Sequence, residues 1–155
     1  MTGPQDEINL FVTIKAPIRI VWEALTRPDV IGLWISDEPV EIVSDWRVNA
    51  PITFRGAFHG MAFENHGQIE IFEPKRIFQY AFWSNLSASV LEDRPENHAM
   101  VRFALTQDAV DVRLDLTLGQ FAHESIGPHL ALYWGGTLPL IREVCEKGAL
   151  HEAVK

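Results

Sequence analysis

Hydrophobic and polar positions alternate cleanly at the start of the chain. Ile8, Leu10, Val12 and Ile14 fall on one face, with Asn9, Thr13 and Lys15 among the residues between them. A period of two predicts a half-buried strand over 8–15. Ala16-Pro17 stops it, and Pro17 suits the first turn of a helix because its missing N–H has no partner there anyway. Ile18, Val21, Trp22 and Leu25 then recur at helical spacing, predicting a short helix that ends near Thr26. Pro28-Asp29 restarts a second one, expected to run to about Trp34.

From Val40 onward the pattern is one of strands separated by turn signals. They are expected at 40–43, 52–58, 61–72, 76–84, 99–107 and 109–118. The last is the clearest, with Val110, Val112, Leu114, Leu116 and Leu118 alternating with Asp111, Arg113, Asp115 and Thr117. A turn on Asp108-Ala109 would place Val101, Phe103 and Leu105 on the same buried face. Phe78, Tyr80 and Phe82 share one face of the fourth of these strands, and Ile77, Ala81 and Trp83 the other. The Tyr80 face is taken as inward, because a hydroxyl suits the edge of a cavity. Residues 85–97, with Glu92, Asp93, Arg94, Pro95 and Glu96, read as a long exposed loop.

After Gly127-Pro128 the period becomes helical again. Leu130, Tyr133, Trp134, Thr137, Leu138, Ile141, Val144 and Cys145 form one stripe, closed by Gly148. Pro139 lies inside this run, and either kinks one long helix or opens a second after Gly135-Gly136. An antiparallel sheet with one apolar face must bury that face, and this helix is the only long element able to cover it. A ligand would sit between the two, with the short helices closing the space.

This order, and the residues themselves, resemble the helix-grip superfamily of START domains, birch-pollen-allergen-like proteins and polyketide cyclases. Within it the likeness is to the Aha-type family, named for the activator of the heat-shock chaperone ATPase. Val12-Thr13-Ile14-Lys15-Ala16-Pro17, Val21-Trp22-Glu23-Ala24-Leu25-Thr26-Arg27-Pro28 and Trp34 resemble its opening stretch. Gly67-Gln68-Ile69-Glu70, Pro74-Lys75-Arg76-Ile77 and Trp83 are similar to its central hairpin, and Trp134, Leu138 and Ile141 to the start of its closing helix. The resemblance implies an α+β fold in which a curved antiparallel sheet of about seven strands wraps a long C-terminal helix. Two short helices would follow strand one. It also implies a single domain over 1–155 with its core at about 8–148. The family's Asp-x-Arg-x-Gly-Gly is here Asp45-Trp46-Arg47-Val48-Asn49-Ala50, without either glycine. The eukaryotic activator is similar only in its C-terminal half, so co-chaperone activity does not transfer by name.

Composition narrows the partners. The chain has 155 residues and net charge −8, with 13 basic against 21 acidic side chains and no Lys/Arg cluster. Neither nucleic acid nor an anionic membrane surface is expected as a partner. A lone cysteine, Cys145, gives no internal disulfide, and the polar, acidic first residues are unlike a signal peptide, so a cytoplasmic location is expected. Asn85-Leu86-Ser87 then reads as a chance match to a glycosylation acceptor. The apolar stretch 130–141 is too short to cross a bilayer.

The chemistry on offer is mostly aromatic. Five Trp, nine Phe and two Tyr are more flat side chains than a small core needs. Trp34, Phe54, Phe63, Tyr80, Phe82, Phe103 and Tyr133 are the expected ligand-lining set, with His129 beside Tyr133 at i, i+4 on the closing helix. Glu64 and His66, two apart on a strand, form the one pairing that resembles a general base. His123 and His129 are six apart and His59 and His66 seven, so no metal site is expected; no glycine-rich cofactor loop or nucleophile elbow is present either. The leading expectation is non-catalytic binding of a small apolar or aromatic molecule, as a monomer or homodimer. The alternatives are a polyketide cyclase/dehydratase-like enzyme, whose residues would be Glu64, His66 or His129, and a domain that contacts a chaperone or regulator.

Overall fold

The computed structural model describes residues 7–58, 60–85 and 91–153. The elements run β1 (Ile8–Ile14), α1 (Ile18–Thr26), α2 (Pro28–Ile31), β2 (Val40–Ser44), β3 (Pro51–Phe58), β4 (Met61–Glu73) and β5 (Ile77–Ser84). A 3-10 turn (Pro95–Asn97) precedes β6 (Ala99–Asp108), β7 (Asp111–Gly119) and α3 (Ile126–Ala153). All seven strands form one antiparallel sheet in the order β1-β7-β6-β5-β4-β3-β2, with α3 packed against it. This is the helix-grip, START-like architecture.

Period-two alternation settles the inner face. Leu10 opposes Leu116, Val12 opposes Leu114, Val101 opposes Leu118 and Phe103 opposes Leu116. Leu114, Leu116, Leu118 and Val101 are fully buried. The hairpin turn lies one residue later than expected, on Ala109-Val110, because Asp108 pairs with Asp111. Ala109 takes a left-handed φ of 53°, and Val110 leaves the buried face for solvent, 85% exposed.

Curvature comes from β4, the longest strand. A Cβ at Gly67 would lie 1.7 Å from the Ala81 carbonyl oxygen, so the two backbones approach closely where only glycine fits. Two residues further on, the register with β5 slips between Ile69 and Ile71. Such a bulge bends a strand and raises its twist. The β2–β3 loop accounts for the first of the missing glycines: Asn49 adopts φ 72°, the left-handed region that asparagine tolerates best after glycine.

Two helix boundaries differ from expectation. The second helix ends at Ile31 rather than Trp34, since Leu33 and Trp34 donate to the carbonyls three residues back as the chain tightens. Trp34 is pinned inward by its indole N–H to the Ala24 carbonyl, 2.8 Å. The C-terminal helix begins earlier, at Ile126, and is one continuous element through Pro139. Proline clashes with, and leaves unbonded, the carbonyl four residues back. Here that residue is Gly135, on the exposed side of the helix.

Candidate functional site

In backbone approach α3 lies nearest β1, β7 and α1. Toward β3–β5 the gap between helix and sheet is bridged by large side chains. Trp22 meets Phe72 (ring centroids 5.4 Å), Phe72 meets Phe78 (5.8 Å), and Phe78 meets Trp46, Tyr80 and Phe103 at 5.9, 5.4 and 6.0 Å. Tyr80 continues the seam to Phe54 at 5.7 Å and to Phe82 at 6.0 Å. From the helix, Trp134 reaches Phe103 at 5.5 Å and Trp34 at 5.9 Å, with Tyr133 against its edge at 5.1 Å. Six of the seven expected aromatic side chains therefore meet in one seam, and the Tyr80 face of β5 is the inward one. Phe63 lies at its rim, partly buried against the core and close to Gly56.

Polar tips enter this apolar wedge at three places. Tyr133 donates its hydroxyl to the Ile35 carbonyl at 2.7 Å, tying α3 to the segment after α2, and burial pushes its pKa up to about 12. Tyr80 is buried too, and desolvation, followed by the Tyr133 charge, raises its pKa. The third is Asn65, on the same face as its direct partner Phe54. Its side-chain oxygen is buried without any hydrogen-bond partner.

Asn65 was not among the sequence candidates. Its signal was parity: Phe63, Asn65, Gly67 and Ile69 share one face of β4, and Asn65 is the lone polar residue in that series. Phe78 and Trp134 were assigned to the strand and helix stripes but are as central to the seam as Tyr80.

Glu64 and His66 have the opposite parity and stand on the outer face. Arg55 holds Glu64 at 2.9 Å, and Glu64 in turn contacts His66 Nδ1 at 2.8 Å. The other imidazole nitrogen, Nε2, meets Asp93 at 2.6 Å, and His98 meets the second Asp93 oxygen at 3.1 Å. The loop after β5 is thereby fastened across the outside of the sheet, with Trp83 beneath His66, their rings 5.6 Å apart, and donating to the Leu91 carbonyl. Both His66 nitrogens are occupied, so the ring is not placed to take a proton from a ligand. His129 is exposed on α3. None of the three residues named for an enzyme faces the wedge.

Cys145 is fully buried, and burial followed by the Glu146 charge pushes its thiol up to about 12, far from a reactive thiolate. Among the described residues, no group of three or more His, Cys, Asp or Glu is placed to hold a metal ion. His59 and part of Asn85-Leu86-Ser87 lie outside the described residues. Two open grooves mark the surface. One is lined by Lys15, Ala16, Pro17, Val110 and Asp111, the other by residues 9–12 with Gly135, Leu138, Pro139 and Arg142. Neither contains a residue of the expected ligand set.

Residues 15–143 match the family model for activator of Hsp90 ATPase homolog 1-like protein. The chain belongs to this family. No functionally curated protein matches it. Among solved structures, ChR145 from Cytophaga hutchinsonii is 28% identical with a TM-score of 0.74, over 99% of this chain and 100% of its own. CalU16 from Micromonospora echinospora is 21% identical with a TM-score of 0.67, over 94% and 79%. The Aha1 dimer from Colwellia psychrerythraea is 17% identical with a TM-score of 0.69, over 91% and 96%. The last two show likeness of fold alone. No described helix of this family member is long and apolar enough to cross a membrane.

Proposed function

We propose that this AHSA1-family chain binds a small apolar or aromatic molecule between the β3–β5 side of the sheet and α3, without carrying out chemistry on it. The reading rests on the aromatic seam. Rings from β3, β5, β6 and α3 converge beside the strands that α3 approaches most closely, and the outer members Phe63, Phe82 and Tyr133 are only partly buried. A wedge apolar at depth and partly wet at its mouth is the usual form of a small-molecule site. The rings touch one another in this structure, so a guest enters by parting them.

Native mass spectrometry of the purified protein, with a thermal-shift screen of aromatic metabolites and lipids, tests the proposal. A retained small-molecule mass or a saturable rise in Tm is expected. Failure of every apolar and aromatic compound to shift Tm would sink it. The family match motivates a second reading, contact with a chaperone ATPase. Stimulation of that ATPase by the purified chain would support it, and unchanged turnover would remove it.

A further inference from the structure

We infer that the Asn65 side-chain oxygen is the polar anchor of the wedge, and that its ligand is a flat apolar molecule bearing a neutral hydrogen-bond donor, a hydroxyl or an N–H. The inference rests on the binding reading above. Asn65 Oδ1 is the one buried side-chain polar atom without a hydrogen-bond partner among the described residues. Buried acceptors are nearly always satisfied, and the exceptions in native proteins call for a missing partner. Asn65 lies opposite Phe54 on one side and Ser84 on the other, with Phe63 two residues before it on the same face. Two residues after it comes Gly67, so no side chain fills the same face between Asn65 and Ile69.

The charge of the donor follows from the walls. Phe54, Tyr80 and Phe82 carry none, and the acidic residue nearest in sequence, Glu64, points to the outer face in the grip of Arg55. A ligand cation would be buried unpaired, and a carboxylate would set its lone pairs against those of Asn65. A neutral donor alone gains from this oxygen.

The test compares 2-naphthol with 2-methoxynaphthalene, which keeps the ring and loses the donor, on wild type and on Asn65→Leu, a change of shape-conserving kind. Wild type is expected to prefer 2-naphthol by about tenfold. Asn65→Leu should abolish that preference, with 2-naphthol losing far more affinity than 2-methoxynaphthalene. In wild type alone, the Asn65 side-chain amide resonance should shift with 2-naphthol and stay fixed with 2-methoxynaphthalene, a readout that survives if the variant fails to fold. Equal binding of the two probes to wild type, or an undiminished preference in Asn65→Leu, overturns the anchor while leaving the binding site standing. Tighter binding of 2-naphthaldehyde, an acceptor only, overturns it as well. If none of the probes binds wild type, the binding reading and the anchor fall together.

Discussion

His66 and Asp93 meet at 2.6 Å on the outside of the sheet, 27 positions apart in sequence, with Glu64 on the other nitrogen of the same ring. Desolvation alone would lower the His66 pKa, but hydrogen bonds to Glu64 and then Asp93 outweigh it, and the pKa is raised. Asp93 moves the other way. Burial would raise it, yet hydrogen bonds from His66 and His98 hold its carboxyl below the usual range.

The signs give a window. A raised histidine pKa stabilises fully below the ordinary value of about 6.5 and loses that contribution as pH climbs through the folded pKa. A lowered carboxylate pKa stabilises above the ordinary value of about 4 and loses it as pH falls through the folded one. Residues 91–98 should therefore be held most firmly between about pH 4 and 6.5. Amide protection in this loop, taken relative to the intrinsic exchange rate at each pH from about 5 to 9, should fall as His66 deprotonates. In His66→Gln that dependence should flatten, and an unaltered profile would refute the fastening.

Gly67→Ala is expected to be among the most damaging single substitutions. Its Cβ would meet the backbone of Ala81, which has no flexible end to move aside. A loss of about 4 kcal/mol or failure to fold is the outcome, read by urea unfolding. Gly136→Ala is its opposite, because a Cβ there meets nothing within 4 Å and the helix gains by losing a glycine. That variant should be more stable by about 1 kcal/mol.

Asn49→Gly should raise stability by about 0.5–1 kcal/mol, because φ 72° costs glycine nothing. The backbone bond from the Asn49 N–H to the Ile69 carbonyl, 2.8 Å, is retained. Asn49→Val should move the urea midpoint the other way.

Removing the Tyr133 hydroxyl strips the Ile35 carbonyl of a 2.7 Å bond without changing the ring. Tyr133→Phe should cost about 1 kcal/mol. It should also loosen amide protection at residues 35–36, while the Trp134 contacts stay in place.

Much of the architecture was legible because the two periodicities are physically forced. A strand with one wet face must alternate, and a helix on a core must repeat at 3.6 residues, so β1, β6, β7 and α3 could be read from Ile8 to Cys145 without coordinates. The aromatic inventory likewise named Trp34, Phe54, Tyr80, Phe82, Phe103 and Tyr133, six of the residues that meet in the seam. Glu64 and His66 show the limit. Spacing places them on one face of a strand, but not which face, and a shift of one residue in register exchanges inside for outside.

What the sequence by itself determined is the alternation, the order of elements and the supply of flat apolar side chains, since these depend on local sterics and on hydrophobicity. Tertiary structure alone decided which parity of β4 turns inward, and with it that His66 ties down a loop while the Asn65 side-chain oxygen is buried without a partner. It also decided that Pro139 is carried within one helix and that Gly67 marks the bend. Each of these depends on what a second segment, distant in the chain, places against the first.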